Sequence, residues 1–291
     1  MAQRVVIITG CSSGIGLDTA VLLAKTDDGK KFKVYACMRN LAKKGSLVEK
    51  AGDCVDKSLF VLEMDVKSES SVNAAIKHVL DTDGRVDVLI NNAGVGCTGA
   101  LEYHQVDTIK NVYETNVYGV IHAIRAVLPS MKTKKSGHII TVSSVGGLVG
   151  VPLNAVYCSS KFAVYGLSES LATELAQFNI NVSLIEPGPV ATEFGSSVMS
   201  KGIDGLENGD DVTKGLINKV IQAFQKNRVE RGQTGDDIAK CILKAIEDEK
   251  PHLHYITSKA YEEVLKKKYV DITGDSVIQA STQRFFPSPA K

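Results

Sequence analysis

The chain has 291 residues, 44% of them hydrophobic, and its 34 basic and 33 acidic residues leave a formal net charge of +1. This balance excludes a disordered chain and a basic nucleic-acid binder. A core of this size needs no disulfide or metal, and no repeat, linker or low-complexity tract divides the sequence. We therefore predict one domain spanning residues 1–291.

Strand-like and helix-like patterns alternate along the chain, as parallel βαβ units require. The predicted strands cover residues 4–9, 32–38, 59–64, 86–91, 138–143, 181–186 and 252–256. The predicted helices lie near residues 14–26, 69–81, 105–132, 153–178 and 234–248. Right-handed crossovers between these strands predict an α/β fold: a doubly wound, Rossmann-like sheet of seven parallel strands with helices on both faces.

Residues 188–230 follow the sixth predicted strand and are too many for a plain connection. Long insertions at strand carboxyl ends form lids and pockets, so we predict a substrate lid from this segment and the C-terminal tail. Its apolar side chains line a pocket or pack the lid itself, with equal support for the two interpretations. They are Val190, Phe194, Val198, Met199, Phe224, Phe285 and Phe286.

Several features bear on the compartment and on metals. Apolar stretches are too short for a membrane span, and the chain enters a strand too early for a signal peptide. The six cysteines form no C-x-x-C pair, which predicts reduced thiols in a cytoplasmic protein. His252-x-His254 lacks further ligands, so we predict strand residues and no metal. Lys266–Lys268 is interpreted as a solvated helix end, with a membrane-surface contact as the alternative.

The first predicted strand runs directly into a glycine-rich turn that begins the first predicted helix. Such a unit brings backbone N–H groups to a pyrophosphate at the helix N-terminus, where the helix dipole favours anions. The spacing is G-x-x-x-G-x-G, and not the more familiar G-x-G-x-x-G. The turn residues predicted to bind a dinucleotide are Gly10, Ser12, Ser13, Gly14, Ile15 and Gly16.

Arg39 follows the second predicted strand, where an NAD site usually carries Asp or Glu for the ribose 2′-hydroxyl. A guanidinium suits a 2′-phosphate by its charge and planar geometry, and the missing carboxylate removes a repulsion. The sequence therefore predicts NADP(H) over NAD(H). For this residue taken alone, an exposed loop arginine is an equally good interpretation.

Small and polar residues follow the next predicted strands, at the sheet edge where a doubly wound fold binds its ligand. Asp65 is placed to accept a bond from an adenine amino group, and the N-N-A-G run lets backbone approach the cofactor. The Pro187-Gly188 turn is placed to cradle the nicotinamide amide. The residues assigned to cofactor binding here are Asp65, Val66, Asn92, Ala93, Gly94, Pro187, Gly188, Val190 and Thr192.

Each of these residues also has an ordinary structural interpretation. Asp65 suits a cap, Asn92 a turn and Pro187-Gly188 a chain reversal. Ser144, after the fifth strand, suits a strand-end hydroxyl. Their placement at successive strand ends nevertheless favours a site, and the uncharged run from residue 145 to residue 157 favours an apolar substrate.

Tyr157 and Lys161 have Y-x-x-x-K spacing, which puts a phenol and an ammonium side by side on a helix. One cation about 4 Å away, at an effective dielectric near 20, supplies roughly 4 kcal/mol, or about three pKa units. We therefore expect Lys161 to bring the pKa of Tyr157 to about 7, where general acid–base catalysis works best. An ordinary amphipathic helix is the alternative for this pair alone.

Several motifs occur together along the chain. They are T-G-x-x-x-G-x-G at residues 9–16, N-N-A-G at 91–94, Ser144, Tyr157, Lys161, and P-G at 187–188. Over residues 4–195 this joint pattern resembles the short-chain dehydrogenase/reductase family. The glycine turn, Arg39 and the segments 145–148 and 154–158 further resemble the branch containing 17β-hydroxysteroid and retinol dehydrogenases.

The resemblance implies specific roles for four residues. Tyr157 would be the general acid in carbonyl reduction and the base in alcohol oxidation, and Ser144 would bond the substrate oxygen. Lys161 would hold the nicotinamide ribose and lower the Tyr157 pKa, and Asn116 would help relay protons through water. The branch implies NADP(H) and a 17β-hydroxysteroid, 17-ketosteroid or retinoid as substrate. The family implies a homodimer paired through the helices near residues 105–132 and 153–178, with packing of these helices within one chain as the alternative.

Other functions stay open at this point. Residues 195–250 contain no histidine, so the estrogen specificity known in this branch does not carry over. A broad carbonyl reductase is one alternative. A catalytically silent nucleotide-binding sensor is another, although it would have no chemical need for Asn116, Ser144, Tyr157 and Lys161 together.

Overall fold

The computed structural model describes residues 3–195 and 203–270, and the single residues 273, 275, 276, 280, 282 and 283. Side chains at residues 226–231, 260, 264, 267 and 269 are not part of this description. Of the predicted lid side chains, Val198, Met199, Phe285 and Phe286 lie outside the described residues.

The described strands form one sheet in which all neighbouring strands are parallel, in the order β3-β2-β1-β4-β5-β6-β7. This confirms the predicted Rossmann-like sheet, and the predicted strands differ from the observed ones by at most two residues at an end. The strands are β1 (Arg4–Thr9), β2 (Phe32–Met38), β3 (Leu59–Glu63), β4 (Val88–Asn91), β5 (Gly137–Val142), β6 (Ile180–Glu186) and β7 (His254–Ile256).

Helices cover both faces of the sheet. Those found in the described ranges are α1 (Gly14–Lys25), α2 (Gly45–Ala51), α3 (Glu69–Asp83), α4 (Val106–Tyr113), α5 (Gly119–Lys134), α6 (Ala155–Leu175), α7 (Asp211–Arg231), α8 (Gly235–Glu247) and α9 (Lys259–Val270). The predicted helix over residues 105–132 is divided by a π-helical turn, Glu114–Tyr118. The sequence analysis missed α2, which is short, and α7 and α9, which are rich in polar residues.

Both faces of the sheet are apolar because each is covered by helices, as a parallel sheet requires. Alternate residues of β1 illustrate this. Val6 and Ile8 join the core under α1 and α8, whereas Val5 and Ile7 join the core under α3 and α5. The strand sequences are therefore nearly continuous apolar runs, and polar residues occur at their carboxyl ends.

The chain reverses its winding between β1 and β4, which are neighbours in the sheet although β2 and β3 separate them in sequence. A crevice opens at such a switch point, outside the carboxyl ends of the strands. Thr9 and Asn91 end these two strands, so the glycine turn and the N-N-A-G run meet there. This places the predicted cofactor residues at one edge of the sheet.

Part of the predicted lid is fastened to the loop that follows β4. Asp204 accepts a hydrogen bond from Ala100 N (3.1 Å) through its carbonyl, and its carboxylate lies 2.6 Å from His104 Nδ1. Gly99, at φ +153°, gives room for this contact, because a Cβ there would lie 2.4 Å from the Asp204 carbonyl oxygen. α7 then forms the second half of the predicted lid. Among the described residues, no helix has the length and apolar character that crossing a membrane requires.

Candidate active site

The glycine turn after β1 is shaped by close backbone contacts. A Cβ at Gly10 (φ +74°) would lie 2.7 Å from Ala93 Cα, and a Cβ at Gly16 would lie 2.3 Å from Asn92 Nδ2. Contacts below 3 Å exclude a side chain, so both positions require glycine for space, and Gly10 also requires it for its backbone conformation. The turn therefore leaves bare backbone facing the crevice.

The N-terminus of α1 has the features of an anion site. Its N-cap, Ser13, makes no side-chain capping bond, and the first turn of the helix carries no acidic residue. The first N–H groups of a helix lack intrahelical partners and carry partial positive charge. Ser12 and Ile15 lie half-buried beside them. The residues present thus fit the pyrophosphate of a dinucleotide.

Thr9 fastens the glycine turn to the N-N-A-G run. Its hydroxyl accepts hydrogen bonds from Asn92 N and Ala93 N, both at 3.0 Å. The Asn92 side chain donates to Thr9 O (2.9 Å) and Gly10 O (3.1 Å). Thr9 and Asn92 therefore hold the two loops together. This role of Thr9 was not predicted from the sequence.

The residues predicted for the adenosine end lie at the carboxyl ends of β2 and β3. Arg39 is exposed directly after β2, next to the glycine turn, since Cys11 N donates to Cys37 O at 2.9 Å. Asp65 is half-buried after β3, and one of its oxygens accepts from Lys67 N at 3.1 Å. Val66 packs against Gly119, where a Cβ would lie 2.9 Å from Val66 Cβ.

Ser144, Tyr157 and Lys161 converge where β5 ends and α6 begins. The Ser144 Oγ accepts from Gly146 N at 3.0 Å, and a Cβ built at Gly146 would lie 3.4 Å from Ser144 Oγ and 3.6 Å from the Tyr157 ring. The Lys161 Nζ lies 5.8 Å from the centroid of the Tyr157 ring and donates to Val142 O at 2.9 Å. Two hydroxyl groups and a buried ammonium group thus lie close together.

The prediction that the pKa of Tyr157 falls to about 7 is wrong for this arrangement. Burial raises the pKa of Tyr157 to about 12, and the hydrogen bond with Ser144 lowers it by less. Burial also lowers the pKa of Lys161 to about 8. The Lys161 ammonium points to a backbone carbonyl, and both groups are desolvated, so the expected charge effect is outweighed.

Asn116 lies in the π-helical turn between α4 and α5 and is 1% exposed. Its amide accepts from Val95 N (2.8 Å) and donates to Val95 O (2.9 Å) and Ser160 Oγ (3.0 Å). A Cβ at Gly94 would lie 3.5 Å from Asn116 Oδ1 and 3.8 Å from Lys161 Nζ. Asn116 and Lys161 therefore approach Gly94 together, at the centre of the predicted site.

The Pro187-Gly188 turn is tied to the segments around it. Pro187 O accepts from Val145 N at 3.0 Å, and a Cβ at Gly188 would lie 2.8 Å from Ser258 Cβ. The half-buried Val190 forms a β-bridge with Gln233, and Thr192 lies 3.3 Å from a Cβ built at Gly14. The turn thus reaches from the Ser144 loop to the N-terminus of α1.

An aromatic and apolar surface adjoins the reacting groups. The Phe194 ring lies 5.8 Å from the Tyr157 ring, centroid to centroid, and Phe194 is 41% exposed. Val145, Leu148 and Val149 of the uncharged loop are buried within the protein. Phe194, whose role was left open by its sequence, therefore stands at the open side of the site.

Glu186 and His254 were not identified from the sequence. Glu186 ends β6 with 0% exposure, and its Oε1 lies 3.0 Å from His254 Nδ1. An acidic residue at the end of an apolar strand was the available signal. In the described parts of the chain, no three His, Cys, Asp or Glu side chains gather as metal ligands would.

The sequence matches proteins of known function along its whole length. A family model described as short chain dehydrogenase matches residues 4–202. Retinol dehydrogenase 8 of Bos taurus is 41% identical over 290 residues, covering 99% of this chain and 92% of that protein. The 17-beta-hydroxysteroid dehydrogenase type 1 of Homo sapiens is 41% identical over 294 residues, covering 100% of this chain and 89% of that protein.

Solved structures agree with this match. A short-chain dehydrogenase from Streptomyces avermitilis superposes with a TM-score of 0.78 at 26% identity, over 97% of this chain and 98% of that one. ElxO with NADP bound gives a TM-score of 0.73 at 25% identity, over 90% of this chain and 99% of that one. The fold, the site geometry and these relatives together show that the chain belongs to the short-chain dehydrogenase family and is an oxidoreductase of the nicotinamide-dependent kind.

Proposed function

We propose that the protein is an NADP(H)-dependent oxidoreductase that interconverts a hydroxyl and a carbonyl on an apolar substrate. A 17β-hydroxysteroid or its 17-ketosteroid is the first candidate, and a retinol or retinal is the second. The observation that carries this proposal is that Ser144 and Tyr157 lie together beside Lys161, which approaches Gly94 together with Asn116.

The proposed cofactor runs along the carboxyl ends of the strands. The glycine turn and the N-terminus of α1 would hold the pyrophosphate. Asp65 and Val66 would contact the adenine, and residues 92–94 would let backbone approach the ribose. Lys161 would hold the nicotinamide ribose, and residues 187–192 would hold the nicotinamide. A bound nicotinamide would supply the hydride and, in its oxidised form, a positive charge near Tyr157.

Arg39 supports the choice of NADP(H). Its exposed position beside the glycine turn leaves the guanidinium accessible to a 2′-phosphate. No carboxylate stands in its place, and a carboxylate there would favour the unmodified ribose of NAD(H).

Two hydroxyls would act on the substrate oxygen. Ser144 would donate a hydrogen bond to the carbonyl, and Tyr157 would give its proton to the oxygen as the carbonyl is reduced. The pKa of Tyr157, about 12, keeps that proton in place at neutral pH until the substrate oxygen gains negative charge and takes it. Asn116, which clamps Val95 beside Gly94, would keep this pocket in shape and help relay protons to it.

The apolar surface supports a large flat substrate. The partly exposed Phe194 ring beside Tyr157 offers contact to a hydrocarbon skeleton. The two relatives named for retinol and for 17β-hydroxysteroids are equally identical to this chain, at 41%. We also propose a homodimer packed through α5 and α6, in the cytoplasm, where the six free thiols would stay reduced.

Replacing the proposed acid should abolish turnover and spare cofactor binding. For Tyr157→Phe we expect kcat to fall by at least about 100-fold, because general acid–base catalysis contributes 10²–10⁴-fold. The NADPH dissociation constant should change little. Tyr118→Phe, at an exposed tyrosine, is the matched control. Retained turnover in Tyr157→Phe would refute the assignment.

Replacing Arg39 tests the cofactor preference. A charge-assisted hydrogen bond contributes roughly 1.5–3 kcal/mol, so Arg39→Ala should raise the KM for NADPH by roughly 10–100-fold and leave the KM for NADH unchanged. Arg125→Ala, at an exposed arginine paired with Glu69, serves as the control. Equal KM values for the two cofactors, before and after the change, would contradict the preference.

The buried Lys161 predicts a pH-dependent stability difference. Its pKa of about 8 in the folded protein lies below the ordinary 10.5, so the unfolded chain binds more protons between these values. From pH 8 to pH 10 the wild type should therefore gain about 1–3 kcal/mol of unfolding free energy relative to Lys161→Met. Denaturant titrations at several pH values measure it. Parallel pH profiles would show that Lys161 stays charged.

A substrate panel tests the proposed activity directly. The loss of NADPH absorbance is measured in parallel assays with a 17-ketosteroid, with all-trans-retinal, and with a small quinone or aldehyde. We expect kcat/KM to be at least about tenfold higher for the ketosteroid, as apolar contacts discriminate by 10–200-fold. A preference for retinal would favour the second candidate, and one for the small carbonyl a broad reductase. NADPH binding without any turnover would indicate a silent sensor.

A further inference from the structure

Glu186 is a carboxyl group buried in the sheet with one partner among the described residues. It ends β6 with 0% exposure, its Oε1 lies 3.0 Å from His254 Nδ1, and its Oε2 is buried without a hydrogen-bond partner. An ionised carboxylate taken out of water costs several kcal/mol unless it is paired. The charge on His254 is therefore what makes an ionised Glu186 tolerable.

Solvent reaches the Glu186–His254 pair from the His254 side. The His254 side chain is 32% exposed, so protons can reach it, whereas Glu186 has no exposure. The hydrogen bond with Glu186 raises the pKa of His254, and burial raises the pKa of Glu186. Deprotonation of His254 would thus leave an uncompensated negative charge inside the protein.

The pair stands where the three parts of the proposed site meet. Glu186 directly precedes Pro187, whose carbonyl accepts from Val145 N at 3.0 Å, and Val145 follows Ser144. The His254 ring stacks on Tyr165 with centroids 5.2 Å apart. Tyr165 lies on α6, one helical turn beyond Lys161. The Glu186–His254 pair therefore connects the Pro187-Gly188 turn, the loop that begins at Ser144, and helix α6.

Other titratable groups surround the pair on each packed element. Glu169 of α6 adds a second negative charge that favours the charged form of His254. Further groups on these elements are Tyr165 of α6, His252 before β7, Tyr255 in β7, Tyr261 of α9, which packs on Gly188, and Lys268 of α9, which donates to Leu148 O. Burial raises the pKa of Tyr255 to about 12, so it stays neutral in the range considered.

We propose that Glu186 and protonated His254 are a positioning pair that keeps the Pro187-Gly188 turn and α6 in the arrangement that binds the nicotinamide cofactor. The proposal rests on the proposed function, because it concerns the same site. Neither residue touches the reacting atoms; both act through the segments that do. Cofactor affinity is therefore set in part by the proton on His254.

The direction of the pH effect follows from the raised pKa of His254. The stabilising interaction is complete below the ordinary pKa of 6.5 and is lost as the pH rises through the raised value. Above that value the binding-competent fraction falls by up to about tenfold per pH unit, and the apparent affinity falls with it. Lys161, with a pKa of about 8, titrates in the same range and must be separated from His254.

The test compares NADPH dissociation constants between pH 6.5 and pH 9.5 in the wild type and in His254→Arg, both of which retain Lys161. Arginine keeps its charge throughout. We expect the wild-type affinity to fall more steeply, so that the two proteins differ by roughly fivefold or more at pH 9.5. The His254→Gln variant should bind NADPH weakly even at pH 6.5. Its thermal unfolding midpoint should lose the part of its pH dependence that comes from protonation of His254.

His252→Gln is the matched control, since His252 is exposed two residues away and its backbone N, not its ring, bonds Tyr255. Its pH profile should match that of the wild type. Parallel profiles for wild type and His254→Arg, or an equal effect of His252→Gln, would overturn the inference alone. A wild type that binds neither NADPH nor NADH at pH 6.5 would overturn the proposed function, and the inference with it.

Discussion

The site depends on the close approach of two strand ends, those of β1 and β4. Thr9 accepts the N–H groups of Asn92 and Ala93, and the Asn92 amide bonds back to the β1 end. This contact leaves no space for a Cβ at Gly10 or Gly16, so the crevice is lined by backbone. It also directs the α1 N-terminus and the Gly94 backbone toward the same volume. The remaining functional groups are arranged around that volume.

Burial inverts the usual acidity of the two principal side chains. With a pKa of about 8, Lys161 is a stronger acid here than Tyr157, whose pKa is about 12. Free in water, a tyrosine and a lysine have nearly equal pKa values. In this order of pKa values the phenol stays protonated at neutral pH but is a weaker acid than a free tyrosine. Positive charge brought to the phenol would lower its pKa, and an oxidised nicotinamide would bring such charge.

The sequence predicted the parts of the fold that follow from local pattern. Apolar β-branched runs located the strands, and the motifs at their ends located the edge of the sheet where Ser144 and Tyr157 meet. It did not predict α7, because a polar helix has a weak apolar pattern. It also gave the wrong direction for the Tyr157 pKa, because desolvation depends on the whole fold. The Glu186–His254 contact joins residues 68 apart, beyond any local pattern.

The π-helical turn at Glu114–Tyr118 fixes the length of one stretch of chain. A π turn holds one residue more than an α-helix can accommodate in the same span. Before it, α4 adjoins the loop that Asn116 clamps; after it, Gly119 fits against Val66 with no space for a methyl group. Deleting one residue here would convert the π turn to regular α-helix over the same span and would remove the bulge that carries Asn116. Loops elsewhere tolerate insertions and deletions, whereas in this helix chain length is constrained as well as residue identity.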